Sequence, residues 1–85
     1  MPEISRFYGI VITMYVDDHP GPHFHARYGG DSILVRISDG KIVGHFPPRK
    51  ITLVHRWLKL HRAELYENWR LLHEEKGPRY IEPLE

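Results

Sequence analysis

Cysteine is absent from the 85 residues, which excludes a disulfide framework and any chemistry that runs through a thiolate. No apolar run approaches the roughly 20 residues of a membrane-spanning helix. The first residues also lack the charged and apolar regions of a secretory signal, so the expectation is a cytoplasmic protein without a membrane partner. A surplus of one charge is missing too. Twelve Lys and Arg stand against eleven Asp and Glu, a formal net charge of +1, which argues against an indiscriminate polyanion binder and leaves RNA contact to local clustering. There is no repeat, linker or low-complexity segment. A chain this short, 41% hydrophobic, reads as a single domain over residues 1–85 that buries only about 60–65% of its unfolded surface. Partner binding or self-association would add to so small a margin of stability.

What the chain does have is histidine, concentrated in His19-Pro20-Gly21-Pro22-His23-Phe24-His25. Side chains of an extended chain alternate between faces, so His23 and His25 leave the same side roughly 6.5–7 Å apart. Imidazole changes charge near neutrality, shuttles protons and binds transition metals. The stretch therefore marks a chemical surface without naming a reaction.

Composition divides the chain into a strand-rich part (4–47), a helical part (48–76) and a tail (77–85). Residues Phe7 to Val16 are β-branched, aromatic and aliphatic on both alternating faces, which suits one long strand covered on two sides. Asp17 to Pro22 read as a polar loop. Gly29-Gly30 and Asp39-Gly40 signal two-residue hairpin turns. These place Ala26 opposite Ile33, Phe24 opposite Val35, Ile37 opposite Ile42 and Ile33 opposite Phe46, one apolar face throughout. The other face then carries His23 beside Arg36, His25 beside Leu34, and His45 on the far side of Leu34. His25 and His45 would stand about 10 Å apart, too far for one metal but within reach of one extended ligand.

Pro47-Pro48 close the last strand and permit a helix start. Leu60, Leu53, Trp57, His61, Val54, Leu58 and Ile51 share one side of a wheel, with Arg49, Arg56, Lys59, His55 and Arg62 on the other. Leu65, Trp69 and Leu72 form a second stripe offset in phase, which places a bend or break near His61. Gly77-Pro78 should stop the helical part, and Tyr80, Ile81 and Leu84 look like docking residues on the tail. The expected architecture is α+β: a four-stranded antiparallel β-meander followed by two helices packed on one face.

Three readings compete for the histidine face. In the first it holds a metal: His23 and His25 make half a site, which His19 or Asp17 and Asp18 could complete. Nothing else has compelling ligand spacing, so no cofactor is expected, and metal binding is left open. In the second it is a metal-free ribonuclease, with His19, His23 and His25 sharing the proton roles, Arg27 or Arg36 on the phosphate, and Tyr8, Tyr28 and His45 as ligand-binding neighbours. In the third the histidines are structural. His23 then caps its loop, His61 and His73 sit in or beside apolar stripes, and His55 is solvated. Leu34 and Val43 on the histidine face add apolar surface that two helices on the other face cannot cover. A second copy or a different protein should cover it.

Ile4-Ser5-Arg6-Phe7-Tyr8-Gly9-Ile10, Pro22-His23-Phe24-His25-Ala26, Trp57 to Leu65 with His61, Asn68-Trp69 and Ile81-Glu82-Pro83-Leu84 resemble the small bacterial family called domain of unknown function 4160. The resemblance runs over essentially the entire chain. In the family signature Pro-Pro-His-Phe-His-Ala, Gly21 here replaces the first proline. The resemblance implies a small stand-alone protein without an established activity, often encoded beside another short protein in the manner of toxin and antitoxin pairs. It implies further that this partner covers the apolar part of the sheet, with the histidine face as toxic site or docking surface. The leading expectation is thus a cytosolic protein-interaction module, with a protein partner encoded nearby or a homodimer. A histidine-dependent ribonuclease is the alternative.

Overall fold

A computed structural model describes residues 2–17 and 20–85. Glu3–Phe7 (β1), Ile10–Thr13 (β2), His23–Tyr28 (β3), Asp31–Arg36 (β4) and Ile42–Gly44 (β5) precede one helix, Pro48–His73 (α1). The strands form a five-stranded antiparallel sheet in the order β1-β2-β3-β4-β5. It is the expected meander with one strand more, because the stretch read as one strand over Phe7 to Val16 is folded back on itself. Tyr8 and Gly9 both take positive φ, 49° and 80°, and join Phe7 to Ile10 as a two-residue hairpin. The run's strand propensity hides this turn. Only glycine enters the left-handed region without penalty, so a tyrosine there leaves no mark in the sequence.

The expected pairing of β3 with β4 is present: Ala26 opposite Ile33, Phe24 opposite Val35, His25 opposite Leu34 and His23 opposite Arg36. The β4–β5 pairing is displaced by two residues. Ile33 faces Gly44, not Phe46, and Val35 faces Ile42, which Ile37 was expected to face. Asp39 sets the longer loop by accepting from the Lys41 N–H at 3.0 Å and pairing with Arg36. The Gly40 N–H donates to the Arg36 carbonyl at 2.8 Å. An even displacement keeps each side chain on its face, so Val43 stays on the histidine face and now stands opposite Leu34, where His45 was expected. His45 lies beyond the end of β5.

The helical part is a single helix kinked at His61 (φ −122°, ψ 21°), not two separate helices. Its wheel is obeyed at Val54, Trp57 and Leu58, which are buried, but Leu60 is exposed. Trp57 is the hub of the core, with its ring 5.4 Å from Phe7 and 5.6 Å from Phe24. The helix stops at His73, short of Gly77-Pro78. Glu75 adopts φ 59°, and the N–H groups of Glu75 and Lys76 return to the carbonyls of Leu72 and Leu71 at 3.1 and 2.9 Å, a Schellman closure. The tail docks through Ile81 and Leu84, whereas Tyr80, expected to dock with them, is exposed because its neighbours Arg79 and Ile81 make the contacts to Asn68 and Ile4. The Ile81 N–H meets the Ile4 carbonyl at 2.7 Å, the Trp57 indole donates to the Glu82 carbonyl at 2.8 Å, and Ile81 and Leu84 are buried.

Candidate functional site

The residues Phe24, Ala26, Ile33 and Val35 turn one sheet face toward Trp57. The alternate residues His23, His25, Arg27, Leu34, Arg36 and Val43 therefore share the opposite face. His23 opens β3, and the segment that follows β2 brings Asp17 onto both rings. His23 Nε2 and His25 Nε2 stand 3.0 and 3.1 Å from the same carboxylate oxygen, Asp17 Oδ2. On its other edge the His23 ring donates Nδ1–H to the Gly21 carbonyl at 2.9 Å. Gly21 holds that carbonyl with φ 81°, a conformation closed to the proline of the family signature.

The two histidines differ in access. His23 is 2% exposed, with its ring 5.0 Å from Trp69. The face expected to turn wholly away from the helical part is thus partly sealed by it, because the helix beyond the kink brings Trp69 round to the end of β3. His25 keeps a side-chain exposure of 20% and stacks on Tyr15 at 4.6 Å with the planes 9° apart. Neither Tyr15 nor Trp69 was singled out as a site residue. Aromatic content was their only signal, and that signal marks core as readily as site.

The remaining candidates scatter. Arg27 is exposed on the histidine face, two residues beyond His25. Arg36 lies beside His23 and is paired with Asp39. This pairing holds the Asp39 carboxyl far below its ordinary range, through the Arg36 hydrogen bond first and the Lys41 N–H second. Tyr28 is not on this face; it packs against Phe46 at 6.2 Å and lies under Lys50. Tyr8 belongs to the β1–β2 turn, at the far end of β3 from His23, where its carbonyl accepts from Lys50. Both were grouped with the histidines by sequence proximity to β3 or to its neighbour, which says nothing about face or end. His45 is exposed. His19 and Asp18 lie outside the described residues.

The structural histidines also find partners. His55, expected in solvent, is half-buried and bonded to the Gly40 carbonyl at 2.9 Å. His61 meets Glu64 at 2.6 Å and the Trp57 ring at 5.6 Å. His73 is exposed beside Trp69, Nδ1 on its carbonyl at 2.9 Å.

Pro20, His23, Leu34, Arg36, Lys41 and Val43 line a groove of about 210 Å³ beside this cluster. Its floor is apolar, its rim is basic, and Val43 is 60% exposed. No helix among the described residues is long and apolar enough to cross a membrane.

Fold and site together define a small α+β domain: an antiparallel meander backed by one kinked helix, with an aspartate and two histidines gathered on the sheet face away from Trp57. The sequence profile of the family described as Domain of unknown function (DUF4160) matches residues 9–70. The chain belongs to that family. No curated protein and no solved structure matches it.

Proposed function

We propose that the protein is an interaction module whose working surface is the groove on the histidine face, one member of a two-protein pair of the toxin and antitoxin kind. The observation that carries this reading is the apolar floor of Pro20, Leu34 and Val43, bordered by Arg36 and Lys41, on the sheet face opposite Trp57. Exposed apolar surface rimmed by charge is the composition of a protein contact. The occupant we assign is the short protein encoded beside members of this family, which the small margin of an 85-residue domain would use for added stability.

A ribonuclease is less well supported by the same geometry. A general acid or base must come within hydrogen-bond reach of the substrate proton. Yet His23 is buried, with both ring nitrogens facing protein oxygens, and Tyr8 and Tyr28 are elsewhere. Of the two histidines on Asp17, His25 is the one that combines access with a partner.

Co-expression with the neighbouring reading frame, followed by size-exclusion chromatography and a growth assay for each protein alone, tests the proposal. A stable complex is expected. Val43→Glu, which puts a carboxylate into the apolar contact, should weaken it by at least about 30-fold while His25→Ala leaves it intact. A chain that remains a lone, harmless monomer refutes the module. RNA cleavage that His25→Ala abolishes by orders of magnitude, with folding unchanged, establishes the ribonuclease instead.

A further inference from the structure

We propose that Asp17, His23 and His25 bind one divalent first-row transition-metal ion, independently of the docking reading. One ligating atom from each residue lies within 4.8 Å of the others. The two separations from Asp17 are those of a first coordination shell: bonds of about 2.0–2.2 Å at angles near 90–110° hold donor atoms about 3.0–3.4 Å apart. The observed Nε2 to Oδ2 distances are 3.0 and 3.1 Å.

Hydrogen-bond chemistry at His23 supplies the second, separate observation. The Gly21 carbonyl at Nδ1 and the Asp17 carboxylate at Nε2 both accept, and an N–H placed on Nδ1 serves the carbonyl. A neutral imidazole has a single N–H, which leaves a lone pair on Nε2. That lone pair points at a carboxylate oxygen, which also accepts. Two acceptors face to face at 3.0 Å, on a ring 2% exposed, repel unless a cation lies between them. A metal ion answers this need, and an extra proton on the ring is the competing answer. The backbone carbonyl behind Nδ1 is the partner that metal-bound histidines ordinarily have, fixing tautomer and ring direction. His25 is braced likewise, by the face of Tyr15.

The donor set selects the class of ion. Two imidazole nitrogens with one carboxylate suit Zn²⁺, Fe²⁺, Co²⁺ or Ni²⁺, whereas Mg²⁺ and Ca²⁺ take oxygen ligands. Three protein ligands leave a coordination position for water or a ligand. His25 and Asp17, at 20% and 18% side-chain exposure, provide the side from which an ion enters. Bound there, the ion would tie Asp17 and the segment that follows β2 to β3. Pro20 and His23 also line the groove, so occupancy would set one wall of it.

The test uses the untagged full chain, stripped with chelator. Zn²⁺ is titrated by calorimetry, and Co²⁺ by its visible absorption. One equivalent is expected, with a Tm raised by roughly 10 °C at saturating Zn²⁺. Asp17→Asn and His25→Gln, both at partly exposed positions, should retain the fold by circular dichroism and lose at least about 100-fold in affinity. His45→Ala and His73→Ala should not. No stoichiometric uptake, together with nitrogen NMR shifts of a doubly protonated His23 ring, overturns the proposal in favour of an imidazolium paired with Asp17. Uptake that survives Asp17→Asn and His25→Gln overturns it in favour of surface histidines. Partner binding measured with and without chelator is a separate readout, so failure of the module would leave this result standing.

Discussion

Gly44→Ala is the sharpest probe of the register that places Val43 in the groove. Gly44 has φ 117°, and a Cβ built there would lie 2.7 Å from the Ser32 carbonyl oxygen and 3.2 Å from Ile33 Cγ2. Residues with a side chain pay about 1–3 kcal/mol for such a backbone conformation. Overpacking adds about 1–3 kcal/mol, because the obstructing oxygen belongs to the backbone of β4 and can yield only if the strands part. A loss of about 2–6 kcal/mol is a large share of the ~5–15 kcal/mol that holds a domain together. At about 4–8 °C per kcal/mol for a domain of this size, Tm should fall by at least about 8 °C and by up to about 50 °C. Gly40→Ala is the matched control. Its φ is 78°, but the nearest atoms, His55 Cδ2 and Nε2 at 3.3 Å and Leu58 Cδ2 at 3.4 Å, belong to side chains that can turn aside. The left-handed conformation then dominates at about 1–2 kcal/mol. Thermal melts followed by circular dichroism decide the matter. Should Gly44→Ala melt at or above the Gly40→Ala temperature, the pairing of β4 with β5 described here is incorrect.

Three other outcomes are expected. Ser5 Oγ is buried with no hydrogen-bond partner among the described residues, so Ser5→Ala should be neutral or gain up to about 1 kcal/mol in urea unfolding; a loss above that would reveal a partner. Asn68, 1% exposed, grips the tail twice, Nδ2 donating to the Arg79 carbonyl and Oδ1 accepting from its N–H, each at 2.8 Å. Asn68→Ala should cost about 1–3 kcal/mol and speed amide exchange over residues 79–84, and unchanged exchange there would show that Ile81 and Leu84 hold the tail unaided. Arg36 lowers the Asp39 carboxyl from its ordinary 3.8, and Arg70 lowers Glu67 and Glu74 from 4.5. Each folded value lies below the unfolded one, so these pairs stabilise above that range and lose their contribution as pH falls through the folded values. All are exposed, so the loss of urea resistance below about pH 4.5 should be small and weaker at high ionic strength; a gain on acidification would contradict the assigned pairs.

The metal and docking proposals meet at one residue. His23 is shared by the Asp17 cluster and by the groove, so an ion held by the first would stiffen the second, lowering the ordering cost that a partner must overcome. A complex that tightens when Zn²⁺ is added to the chelator-treated chain would show the coupling directly, and its reciprocity requires the partner to tighten the ion in turn.

Short-range rules acting on the sequence by itself determined the β3–β4 hairpin. Strict alternation on either side of Gly29-Gly30 permits one register that buries Phe24, Ala26, Ile33 and Val35 together, since a slip of one residue would exchange the faces. The same holds for the start of α1 after Pro47-Pro48, for its bend at His61 where two apolar stripes fall out of phase, and for the docking of Ile81 and Leu84. The turn at Tyr8, the closure at Glu75 and the longer loop around Asp39 were not legible. Each depends on a non-glycine residue in a rare conformation, or on a side chain that caps a neighbour, and surrounding contacts compensate a cost that local preference alone would forbid. Only the tertiary structure decided the site. Asp17 reaches His23 and His25 across six and eight positions of chain, and Trp69 reaches His23 from the far half of the helix. Which of several nearby carboxylates meets an imidazole, and which ring seals it, follows from the sum of loop path, kink and packing, and periodicity carries no record of that sum.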